Sequence, residues 1–169
     1  MKDSIYANID HALQRAFGQP RPEYGKMMVD VGVMQVSNGL SSEELIAQDG
    51  MVRYLLENEL DTGQRMMLYL VYDTCDDLHH FQTALEMYTE IFTGKNERFK
   101  PFVRESVLRW SGRDRQRAWT TMKEWSRDLN TPRSTLAYRR HAISDSLERI
   151  HMNALGAAHQ SLHSRDLIP

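Results

Sequence analysis

The sequence predicts an all-α protein, a multi-helix chain that ends in a helix-turn-helix with a long second helix. Three observations point there. Apolar residues recur with a 3.6-residue period along most of the chain, capping patterns stand where these stretches begin, and glycines or prolines stand where they stop. The 169 residues suffice for one domain or two small ones, and ten Met with fifteen aromatics supply a real core.

The elements follow in order. Ile5, Ile9, Ala12, Leu13, Ala16 and Phe17 share one helix face, with Asp3 or Ser4 as cap and Gly18 and Pro20 as the stop. Residues 19–25 read as a loop. Residues 26–36 carry both strand-favouring valines and helix-favouring methionines. A helix is preferred because no second clear strand can pair with this stretch, and the strand alternative stays open. Residues 37–39 form a turn. Ser41 and Glu44 make a capping box, and Leu45, Ile46, Val52, Leu55 and Leu56 continue helically, with Gly50 as an expected break. Residues 61–63 punctuate, and 64–72 read as a short buried helix in which Met66 and Met67 are core. Asp76 or Asp77 opens a helix ending at Gly94, with Phe81, Leu85, Tyr88, Ile91 and Phe92 inward. Residues 95–100 are a basic connection. Pro101 opens a helix with Val103, Val107, Leu108 and Trp110 inward, and Ser111-Gly112 ends it. Residues 161–169 are expected to fray.

Charge divides the chain. Residues 1–94 hold six Lys/Arg against fifteen Asp/Glu, a net of −9, while residues 95–169 hold fifteen against eight, a net of +7. The acidic part reads as fold support with a protein-facing surface, and the basic part as the polyanion-facing one. Attraction between the two halves is the plain alternative, but the basic residues cluster around a motif.

That motif spans 121–147. Thr120 or Thr121 caps a short helix, with Glu124 in capping-box spacing from Thr121 and Met122, Trp125 and Leu129 on one apolar face. Trp125, Trp110 and Trp119 read as packing residues. Ser126 is small where two helices would approach. Asn130 suits a left-handed turn, Thr131 a cap and Pro132 the first helical position. Leu136, Ile143, Leu147 and Ile150 face inward along the second helix. Such a layout places the N-terminal half of the second helix in a DNA major groove. Arg133, Ser134, Ala137, Tyr138, Arg140 and His141 are then the expected base-reading side chains, since Arg can bond a guanine edge twice. Arg113, Arg115, Arg117, Thr121, Lys123, Arg127 and Thr135 are the expected phosphate contacts. An ordinary helical hairpin with a solvated basic face is the competing interpretation. Cap, turn, apolar face and charge together favour DNA.

Residues Thr121-Met122-Lys123-Glu124-Trp125, followed by Asn130-Thr131-Pro132-Arg133-Ser134-Thr135-Leu136, resemble region 4 of bacterial sigma factors and related regulators. The resemblance covers about thirty residues. The segment Leu60-Asp61-Thr62-Gly63-Gln64-Arg65-Met66-Met67-Leu68 is similar to the helix that precedes the motif in that fold, although here a further helix and residues 95–112 intervene. Length, acidic helical front and sigma-like tail are also similar to the Q-type antitermination proteins among phage late-gene regulators. This likeness implies promoter-proximal DNA binding, RNA polymerase and its sigma factor as partners, and a cytoplasmic location in a bacterial host. The Cys-rich zinc element of some antiterminators is absent.

Other classes find less support. The single Cys75 fits a reducing compartment, and Cys75, His79 and His80 lack a fourth clear ligand, so no metal or other cofactor is expected. Asp73, Asp76 and Asp77 read as helix-start acids rather than hydrolase carboxylates. There is no Gly-rich phosphate loop, nucleophile elbow or Ser-His-Asp set, so no enzyme and no catalytic residue is expected. No run of about eighteen apolar residues suggests a membrane span, and the first residues do not resemble a signal peptide. The expectation is a sequence-specific DNA-binding transcription regulator. A homodimeric activator or repressor, and a helical scaffold without DNA binding, are the alternatives.

Overall fold

Among the residues that the computed structural model describes (5–18, 41–73, 79–112 and 118–169), every regular element is helical. They are α1 (Ile9–Gly18), α2 (Ser42–Glu59), α3 (Thr62–Tyr72), α4 (His79–Thr93), a 3-10 turn (Glu97–Phe99), α5 (Lys100–Ser111), α6 (Met122–Asp128) and α7 (Arg133–His163). The expectations for Asp3 and Ser4, for residues 19–25, 26–36 and 37–39, and for Cys75, Asp76 and Asp77 lie outside the described residues.

Local chemistry sets the ends. At α2, the Ser41 hydroxyl accepts from the Glu44 amide and the Glu44 carboxylate accepts from the Ser41 amide at 2.7 Å. Asp61 and Gln64 repeat this reciprocal cap at α3, and Thr121 and Glu124 do so at α6. Pro101 stands in the first turn of α5, and Gly94 and Gly112 close α4 and α5 in left-handed conformations.

Several expectations are corrected. Residues 5–8 are bends rather than helix, because Asn8 takes the capping place and its side-chain oxygen accepts from the His11 amide at 2.9 Å. Gly50 does not break α2: it lies on an exposed face where the helix continues, and the entropic cost of one glycine is small beside the packing of Val52 and Leu56. Ile91 is 58% exposed, since Ala84, Leu85 and Tyr88 already fill the inner stripe of α4 and Ile91 falls at its edge. The tail does not fray. Asp166 adopts φ +57°, the Leu167 amide donates to the Leu162 carbonyl and the Asp166 amide to that of His163, a Schellman closure that folds Ile168 back into the core. The Tyr6 amide then donates to the Leu167 carbonyl at 3.1 Å.

Packing centres on α7. Its 31 residues span about 46 Å at 1.5 Å per residue. Leu136, Ile143, Leu147, Ala154, Ala158 and Leu162 bury one stripe, spaced by sevens and fours. It packs on α1, α2, α3, α5 and α6, with Arg140 against Glu105 of α5 and His151 against Trp110 of α5. Gln64 meets Asn153, and Ser161 and Arg165 reach Glu59. Helix α3 is apolar nearly all round and sits centrally against α1, α4 and α7. Where α1 meets α2, Asp49 of α2 is buried under the Tyr6 hydroxyl at 2.9 Å and a two-pronged contact from Arg15, whose Nη2 lies at 2.8 Å. One apolar cluster runs from Tyr6 to Ile168, so the charge division is not a packing division.

Candidate nucleic-acid interface

The short helix α6 owes its position to buried apolar side chains and one carboxylate. Leu129 is buried, and Met122 and Trp125 pack partly against the core. Trp125 meets Phe102 of α5 edge to face, with centroids 5.7 Å apart. Its indole N–H donates to Glu105 Oε1 at 3.0 Å. The chain then turns through Asn130, which adopts φ +45° as its residue type suggests. The Thr131 amide donates to the Ser126 carbonyl at 3.1 Å.

Thr131 does not cap α7, contrary to expectation. Its hydroxyl donates back to the Leu129 carbonyl at 2.9 Å, and Pro132 takes the N-cap position without a side-chain cap. The turn thus uses Thr131 to close itself. The first amides of α7 are left without a capping side chain, beside the exposed Arg133, Ser134 and Thr135.

Arg133, Ser134, Ala137, Tyr138 and His141 are all exposed, and at 100° per residue they occupy an arc of about 140° on the first turns of α7. Tyr138 is 77% exposed, the most open large side chain with an apolar body among the described residues. His141 Nε2 lies 3.5 Å from Asp145, and Glu148 follows. An anionic partner would be repelled there, so the face is bounded near His141. Lys123 and Arg127 are exposed on α6, with Arg127 contacting Asp128 at 3.1 Å. Thr121 is exposed, but its hydroxyl is committed to Glu124 at 2.8 Å. Arg113, Arg115 and Arg117 lie outside the described residues.

Arg140 departs from expectation. It falls four residues after Leu136 and three before Ile143, which puts it in the buried stripe. Its Nη2 reaches Glu105 Oε1 at 3.3 Å, its Nε reaches the Ser106 hydroxyl at 3.4 Å, and its guanidinium lies over the Phe102 ring at 5.1 Å. Burial, and after it the neighbouring Arg109, disfavour its charge, while Glu105 opposes them. Arg140 belongs to the support behind the face.

Glu105 and Arg109 are the residues that sequence reasoning missed. Glu105 is 7% exposed. Besides Trp125 and Arg140, it accepts the Thr120 amide at 3.2 Å on Oε2 and faces Arg109 Nε at 3.4 Å. Arg109 covers the Trp119 ring at 4.9 Å and donates to the Thr120 carbonyl. The available signal was the helical spacing of Glu105 from its apolar neighbours Phe102 and Leu108, each three residues away, which puts a carboxylate on the buried face, where it needs partners. Trp110, Trp119 and Trp125 all pack against the core, as their sequence context suggests.

The helix beside α6 is α5, joined to it through Glu105 and Phe102. The segment 60–68, similar in sequence to the helix that precedes such a motif, leads into α3, which packs against α1, α4 and α7. Among the described residues there is no group of three side chains able to hold a metal ion, and no helix long and apolar enough to cross a membrane. The chain matches no family model, no curated protein and no solved structure.

Proposed function

We propose that this protein is a DNA-binding transcription regulator that reads duplex DNA with the first turns of α7 and acts together with RNA polymerase. One observation carries the reading. The N-terminal arc of α7 presents Arg133, Ser134, Ala137, Tyr138 and His141 to solvent, behind a capped short helix and a left-handed turn that hold it at a fixed angle. Arg133 and His141 supply donors for base edges, Tyr138 and Ser134 reach bases or phosphates, and Ala137 lets the backbone approach closely. Lys123, Arg127 and Thr135 flank this arc as phosphate contacts, with Arg113, Arg115 and Arg117 assigned the same role from the sequence. The likeness of 121–136 to sigma region 4 supports RNA polymerase and its sigma factor as partners, in the manner of an antitermination factor.

Selection of duplexes from a random pool tests DNA reading: enrichment of a common site is expected, and a pool that stays random would overturn it. A palindromic site would identify a dimeric promoter regulator. Transcription past a terminator with purified bacterial RNA polymerase tests the second element. Read-through that rises on templates carrying the selected site is expected, and unchanged read-through would remove antitermination while leaving promoter regulation in place.

A further inference from the structure

We infer that Glu105 is the positioning residue that locks α6 and α7 into one register, so that phosphate-contacting and base-reading side chains engage DNA together. The inference rests on the DNA-binding reading.

Three segments meet at this one carboxylate. The chain entering α6 does so through the Thr120 amide, α6 through the Trp125 indole, and α7 through Arg140. All three donors come from the unit that carries the candidate interface, and the acceptor comes from α5, outside it. Arg109, one turn along α5, faces the same carboxylate and grips the Thr120 carbonyl, so the entry to α6 is held at both its amide and its carbonyl. Apolar packing alone leaves a seven-residue helix weakly oriented, because none of its residues is fully buried. Directional hydrogen bonds to a buried charge supply the missing orientation. The consequence is specific. Lys123 and Arg127 ride on α6, whereas Arg133, Ser134 and His141 ride on α7. Without the carboxylate, the two sets no longer share a fixed spacing. Contacts to the phosphate backbone tolerate such slack, and base contacts do not.

The test measures affinity of the full chain for a selected duplex and for a scrambled duplex of equal length and charge, using wild type, Glu105→Gln and Glu105→Ala, with Arg133→Ala as control. Glutamine keeps an oxygen for Trp125 and loses the acceptor for the Thr120 amide, so it remains informative if the alanine variant does not fold. The ratio of selected to scrambled affinity is expected to fall about tenfold in Glu105→Gln, the weight of one base contact, while affinity for the scrambled duplex stays near wild type. The indole N–H resonance of Trp125 is expected to shift as its charged partner is removed. A purely structural role would weaken both affinities by the same factor, leave the ratio unchanged and so overturn the inference. If Arg133→Ala itself leaves the ratio unchanged, the DNA reading fails instead. The Trp125 indole N–H resonance and amide exchange in α6 then report whether Glu105 orients α6, and no change in either would overturn that too.

Discussion

Asn130 lies between α6 and α7 with φ +45°, a conformation that most side chains resist and that asparagine and glycine accept. Asn130→Gly is expected to leave stability within a few tenths of a kcal/mol, whereas Asn130→Val should lower it by about 1–2 kcal/mol, read as the change in Tm. Equal effects of the two would show that the turn does not depend on this backbone state. A second residue-scale prediction concerns His151, which shares the buried register of α7 and packs against Tyr72 and Trp110, with ring centroids 6.1 Å and 5.8 Å away. Burial holds its imidazole below the ordinary value of 6.5, against the pull of Glu148 and Asp10. A histidine depressed in the folded state contributes stability that is fully present above the unfolded value. That stability is lost as pH falls from there, because the unfolded chain takes up the proton first. His11 is also depressed, by burial first and then by Arg15, so His151 carries part of the effect. His151→Gln is therefore expected to flatten the fall in Tm between about pH 7 and pH 5. A pH profile parallel to wild type would contradict this.

At the scale of elements, much was legible where a residue type has one local use. The pairs Ser41/Glu44 and Thr121/Glu124, Pro101, and the glycines at 94 and 112 each mark a helix end that the structure contains. Register was harder to see than type. Arg140 was assigned to the outer face because it is basic, although its spacing from Leu136 and Ile143 places it inward, where a carboxylate from another helix awaits it. That partner lies 35 residues away in sequence, so no local pattern could reveal it. Gly50 was read as a break by composition, but a Cβ added there meets nothing within 4 Å. The same holds for Gly156. Gly50→Ala and Gly156→Ala are each expected to stabilise by about 0.5–1 kcal/mol through helix propensity, raising Tm by a few degrees. A drop in Tm at either site would indicate a required close approach. Residues 161–169 depart from the expected fraying, since Ile168 is 2% exposed. Ile168→Ala should therefore cost about 2–5 kcal/mol in denaturant unfolding, and an effect below 0.5 kcal/mol would show that the tail frays.

For the whole molecule, the acidic and basic parts share one core, and their surfaces meet in ion pairs of Lys100 with Glu90, Arg104 with Glu86 at 3.4 Å and Arg165 with Glu59. Helix α7 links the two parts, since its first turns carry the proposed reading face, while Asn153 meets Gln64 and Ser161 reaches Glu59 further along. Under the proposed function, the net +7 of residues 95–169 is the source of long-range attraction between the candidate interface and DNA. The most direct measurement of the central claim is affinity for a duplex enriched by selection, at about 50 mM and about 200 mM salt, for wild type and Arg133→Ala. The account predicts that wild-type affinity falls steeply with salt and that Arg133→Ala binds about tenfold more weakly at either concentration. Equal affinity of the two proteins, or a wild-type affinity that does not fall with salt, would contradict it.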